Sequence, residues 1–131
     1  ELLGIAEMIC DYIKMICRSE PKRSSQSHWL VNAMKQYADK TYCNNPTLKE
    51  LAAIYHKNEK YIGRLFNKEI GMNFHQYCLS LRLRKAEALL LESSDKVIDI
   101  ALECGFDNIS YFNRAFKKQY GISPSEYRRS L

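Results

Sequence analysis

The apolar positions of this chain recur at helical spacing in one segment after another, which predicts an all-α fold. Leu2, Ile5, Ile9, Tyr12 and Ile16 follow a 3-4-3-4 spacing, an a/d seam of barely two heptads. Leu3, Ala6, Cys10 and Ile13 make a second side of the same helix apolar. Two readings of residues 1–20 stay open: the last helix of an upstream sensing or dimerising domain, or a homodimer contact. Residues 21–27 are polar and read as a linker. Ser27 is placed to cap a helix over 28–41 that buries Leu30, Val31, Met34, Tyr37 and Ala38.

Asn44-Asn45-Pro46 ends that helix. Thr47 and Glu50 have the spacing of a capping box, opening a short helix with Leu48, Leu51, Ala52 and Ile54 as its apolar positions. His56-Lys57-Asn58 forms a turn, and Asn58 caps a second helix over 59–70 that Gly71 closes. A short helix, a tight turn and a second helix make a helix-turn-helix. Asn73 and Gln76 open a longer helix to about Ser93, with Phe74, Tyr77, Leu81, Ala88 and Leu89 or Leu91 apolar. Val97 to Leu102 is then a short helix, Cys104-Gly105-Phe106-Asp107 a turn, and Asp107 or Asn108 the cap of a helix ending near Tyr120. Ser123-Pro124-Ser125-Glu126 starts a last short helix.

The second unit repeats the first. Tyr61-Ile62-Gly63-Arg64-Leu65-Phe66-Asn67-Lys68-Glu69-Ile70-Gly71 returns 50 positions later as Tyr111-Phe112-Asn113-Arg114-Ala115-Phe116-Lys117-Lys118-Gln119-Tyr120-Gly121. Two copies fall short of the three that a solenoid needs. The architecture expected is therefore a first helix-turn-helix over 28–72, a linker helix over 73–93 and a second helix-turn-helix over 94–131.

On the second helix of each unit, one stripe is apolar and the other free of acids. Ile62, Leu65, Phe66 and Ile70 face in, and Lys60, Gly63, Arg64, Asn67 and Lys68 face out. The later copy turns Phe112, Ala115, Phe116 and Tyr120 in, and Ser110, Asn113, Arg114, Lys117 and Lys118 out. Gly63 is costly inside a helix, by about 1 kcal/mol against alanine, and close approach of a second surface or simple drift would each account for it. Tyr61 and Tyr111 read as core or rim aromatics, His56 as a polar turn residue, and Arg82, Arg84 and Lys85 as a solvated helix face.

Charge sharpens this picture. Residues 1–20 hold Lys14 and Arg18 against Glu1, Glu7, Asp11 and Glu20, a balance of −2, so the rest of the chain carries +7 of a net +5. A basic body with two acid-free stripes suits a polyanion. A linker helix of some 20 residues spans about 30 Å, close to the ~34 Å between successive major-groove turns on one face of B-DNA. Arginine bonds O6 and N7 of guanine together, so Arg64 and Arg114 are the leading base readers, with Lys60, Gly63, Ser110 and Asn113 beside them. Asn67, Lys68, Lys117 and Lys118 are assigned to phosphates, as are the backbone amides at the starts of the two short helices.

Other classes find little support. Five cysteines without CxxC spacing and three isolated histidines make no zinc pattern, and no cofactor is implied. The cysteines read as reduced, small buried hydrophobes, which points to a cytoplasm. No run approaches the ~20 apolar residues of a membrane span, no signal peptide is visible, and Glu1 in place of methionine suggests a piece of a longer protein. An enzyme would need a nucleophile or acid–base pair that the sequence does not display. A module binding an acidic protein remains the rival reading.

The segment Leu48 to Arg128 resembles the DNA-binding domain of AraC/XylS-type transcription regulators. The resemblance rests on Ile98-Asp99-Ile100-Ala101, Gly105-Phe106, the run Tyr111 to Lys118, Gly121 and Ser123 to Arg128. Leu51-Ala52, Arg64-Leu65-Phe66, Lys68, Gly71, Arg82-Leu83 and Lys85-Ala86 carry it in the first half. It implies two helix-turn-helix units with recognition helices at 59–70 and 108–119, an operator duplex as partner, and RNA polymerase as a partner in activation. Lys96 departs from the small capping residue common there, which leaves Asp95 to cap instead.

Overall fold

The computed structural model describes residues 23–130. Seven helices follow one another: α1 (Arg23–Thr41), α2 (Leu48–Tyr55), α3 (Glu59–Ile70), α4 (Phe74–Glu92), α5 (Val97–Glu103), α6 (Ile109–Tyr120) and α7 (Pro124–Arg129). A 3₁₀ turn at Tyr42–Asn44 separates α1 from α2. The helix expected over 1–20, and the homodimer contact read into it, lie outside the described residues. Helix α1 begins at Arg23, so 23–27 extend the first helix instead of forming linker, and Ser27 is interior to it. No glycine or proline stands between Pro21 and Thr41 to break it.

The remaining helix starts, α5 excepted, follow their capping side chains. Thr47 accepts from the Glu50 amide, Asn58 from those of Lys60 and Tyr61, Asn108 from that of Tyr111 and Ser123 from that of Glu126. At Asn73 and Gln76 the reciprocal box is complete, with both bonds made. Lys96 occupies the cap position of α5 without a side-chain bond, so Asp95 does not serve as the expected substitute. Asp95 stands one residue early, and its carbonyl is engaged by Arg128.

Two hydrophobic cores form, one per unit. Leu30, Val31, Met34 and Ala38 of α1 pack with Leu51, Ile62, Phe66, Phe74 and Cys78. Leu83, Ala86 and Leu90 pack with Ile100, Ala101, Cys104, Phe106, Phe112 and Phe116. Helix α4 thus feeds its first half to one core and its second half to the other. Its buried positions are Phe74, Cys78, Arg82, Leu83, Ala86 and Leu90, while Leu91 is exposed. Arg82 is not on a solvated face. It is only 5% exposed where the two cores adjoin, its guanidinium 5.5 Å from the Phe106 ring centroid and its Nε without a hydrogen-bond partner. The cation–π contact offsets part of the cost of that burial.

Beside Arg82 the two units meet backbone to backbone. Gly105, at φ +95°, lies so close to Cys43 that a Cβ added to it would stand 2.3 Å from the Cys43 carbonyl oxygen. Asn45 Nδ2 donates to the Gly105 carbonyl at 3.1 Å, and Lys85 Nζ donates to Cys43 Sγ at 3.6 Å. Cys78 and Cys104 are buried free thiols, and burial pushes each up to about 11. Cys43 is half-buried at the seam.

Arg128 of α7 closes the C-terminal end of α4. Its Nε donates to the Leu90 carbonyl at 3.2 Å, Nη2 to that of Ser93 at 3.1 Å and Nη1 to that of Asp95 at 2.5 Å. Arg128→Ala is expected to cost about 2 kcal/mol, a fall of roughly 5–10 °C in a thermal melt. Arg128→Lys should recover little, because an ammonium does not reproduce the guanidinium fork. A lysine variant that melts with the wild type would overturn this role.

Candidate nucleic-acid interface

Each unit presents its second helix on the outside for the same reason. In the first, α2 is stopped by His56 in the left-handed region at φ 53°, and Lys57 N–H closes back on the Ala52 carbonyl. In the second, Gly105 makes the corresponding reversal, and Phe106 N–H bonds the Ala101 carbonyl while its ring fills the core. Ile62 and Phe66 anchor α3, Phe112 and Phe116 anchor α6, and the opposite face of each helix is left to solvent.

Every outward residue expected from the pattern is exposed except one. Lys60, Arg64, Asn67 and Lys68 on α3 stand in solvent, as do Ser110, Asn113, Arg114, Lys117 and Lys118 on α6. Gly63 is half-buried, and a Cβ there would approach Leu48 Cδ1 at 3.1 Å. The close approach that favours glycine within the chain is therefore the crossing of α2 over α3.

Electrostatically the two faces are bare. Among the described residues, no cation on either face has a carboxylate oxygen within 4.0 Å, and the one such approach anywhere is His28 Nδ1 to Glu69 at 3.6 Å, an ion pair only when the imidazole is protonated. That contact directs Glu69 toward α1, away from the Arg64 row. An arginine serving its own fold would bond to it, as Arg128 does; Arg64 and Arg114 make no such bonds. Their charge is uncompensated and free for an external anion.

Three departures concern residues near these faces. Of the trio Arg82, Arg84 and Lys85, only Arg84 is exposed. Ile54, Ile98 and Leu102, apolar in pattern, are 50%, 50% and 58% exposed. Tyr61, expected in the core or rim, is 45% exposed, whereas Tyr111 packs against the core of the other unit. The signal was present: the three-residue turn before α3 holds no counterpart of Phe106, the ring against which Tyr111 lies at 6.1 Å.

A helix-turn-helix domain family matches residues 51–130. The transcriptional regulator YijO of Escherichia coli K12 is 32% identical over 125 residues, covering 95% of this chain and 44% of its own. AdaA of Bacillus subtilis, named a bifunctional transcriptional activator and DNA repair enzyme, is 30% identical over 113 residues, 86% of this chain and 53% of its own. The chain thus spans about half the length of these relatives. Among solved structures, the C-terminal domain of AraT, a response regulator from Geobacillus stearothermophilus, superimposes with a TM-score of 0.73 at 33% identity, over 78% of this chain and 85% of that one. The DNA-binding domain of AdpA, solved with a target DNA, gives a TM-score of 0.71 at 25% identity, over 76% and 90%. With its two helix-turn-helix units, their cationic outer faces and these likenesses, the chain belongs to the AraC/XylS-type helix-turn-helix family of bacterial transcription regulators, whose business is sequence-specific binding of DNA.

Proposed function

We propose that the units flanking α4 place α3 and α6 in successive major grooves of one operator duplex. The observation that carries this is the pair of uncompensated cationic faces on units joined by one 19-residue helix, about 28 Å long. Arg64 and Arg114 read guanine, with Lys60, Gly63, Ser110 and Asn113 at neighbouring base edges; at Gly63 only backbone is available. Asn67, Lys68, Lys117 and Lys118 hold phosphates and set the register. The chain acts as a binding module without a catalytic step, in the cytoplasm with the nucleoid. Residues 1–20 are either the last helix of an upstream sensing or dimerising domain or a homodimer contact, and RNA polymerase is the further partner. Exposed Ile98 and Leu102, beside Asp99 and Glu103 on α5, support a protein-binding surface apart from the basic faces. No helix among the described residues is long and apolar enough to cross a membrane.

The test is fluorescence-anisotropy titration of random-sequence duplex over a salt series. Lys68, Lys117 and Lys118 on phosphates alone predict a fall of roughly 40-fold between 50 and 200 mM salt, and each further cation that reaches the backbone steepens it. No binding at low salt would sink the proposal and leave the rival, a module for an acidic protein.

A further inference from the structure

We infer that Tyr61 is a specificity residue of the first recognition helix, its ring packing against the 5-methyl group of a thymine in the groove; this rests on the groove reading above. Tyr61, Arg64 and Lys68 stand at i, i+3 and i+7, one row along α3. Tyr61 lies in the first turn of that helix, the part of a recognition helix that reaches base edges. A tyrosine left 45% exposed needs a reason, and its repeat mate shows the structural alternative. Tyr111 is half-buried, packed on Phe106 inside the second core. Tyr61 makes no ring–ring contact among the described residues and leaves 45% of its surface to solvent, so part of its apolar body is available to a ligand. On the major-groove floor the apolar feature is the thymine methyl, and an aromatic ring is a suitable partner for it. The first unit would then discriminate through an apolar contact that the second unit, with its tyrosine packed inward, lacks.

The experiment begins with selection of a preferred duplex from a random library by the full chain. Each thymine of the selected site is then replaced singly by deoxyuridine, which removes only the methyl group. At one thymine, wild type and Tyr61→Phe should lose roughly four-fold in affinity, the value of one buried methyl. Tyr61→Ala should bind the thymine and deoxyuridine duplexes equally, with its melting temperature within about 2 °C of wild type as befits a surface position. The inference is overturned if Tyr61→Ala keeps the discrimination. It is equally overturned if Tyr61→Phe loses affinity on every duplex, since the hydroxyl would then be holding a phosphate. A large fall in melting temperature for Tyr61→Ala would mark the ring as structural. Failure of the wild type to bind any duplex is a different result and removes the groove reading itself.

Discussion

Arg64→Ala combined with Arg114→Ala removes selective operator binding and leaves the fold untouched. Each bidentate arginine–guanine pair is worth about 1–3 kcal/mol of discrimination. The two arginines occupy different units, so their losses should add, giving roughly 30-fold to 10⁴-fold weaker binding to the selected site. Affinity for random duplex should fall far less, with the salt slope little changed. Neither side chain has a partner within the described chain, so the melting temperature should stay within about 2 °C. Titration of selected and random duplexes, alongside a thermal melt, checks all of this. Equal losses on both duplexes would show that the arginines serve phosphates, not bases.

Gly105→Ala should be the most destabilising alanine substitution among the described glycines. Two costs coincide there. The backbone sits at φ +95°, which an L side chain resists, and the new Cβ would fall 2.3 Å from the carbonyl oxygen of Cys43. A backbone oxygen cannot swing aside as a side chain can, so the turn must leave the seam and the Asn45–Gly105 bond with it. Strain and overpacking together predict a loss of about 3 kcal/mol or more, a fall of roughly 10–20 °C in melting temperature. Gly71 and Gly121 provide the control: at φ +88° and +85°, with nothing within 4 Å of an added Cβ, they carry only the conformational cost. Gly71→Ala and Gly121→Ala should each lose only about 1–2 kcal/mol. If all three alanine variants melt alike, the contact at Cys43 is not a constraint.

Legibility in the sequence followed the number of cores each helix serves. Helices α3 and α6 each serve one core, so their apolar stripe and its polar complement could be read from spacing, and nine of the ten expected outward residues are exposed. Helix α4 serves two. Its buried set passes from Phe74 and Cys78 to Leu83, Ala86 and Leu90, and no single stripe predicts it. Spacing found Leu89, which packs against the second core, but missed the fully buried Leu90, offered exposed Leu91 as the alternative, and left Arg82 in solvent. Ile98 and Leu102 misled differently, because hydrophobicity marks what a residue tolerates, while α5 is too short to bury more than one side. The seam was illegible: Asn45 and Gly105 are 60 positions apart, and nothing local in either turn announces the other.

The Cys43–Gly105 seam has a consequence for the genome as well as for the protein. Units that share α4 and pack backbone against backbone at Cys43 and Gly105 should swivel little to suit a stretched target. Inserting one base pair between the two contacted sites adds about 3.4 Å and turns the far site by about a tenth of a helical turn. Binding should therefore collapse on such an insertion and return neither at two nor at five, so promoters under this regulator's control should keep the two halves of its site in fixed phase.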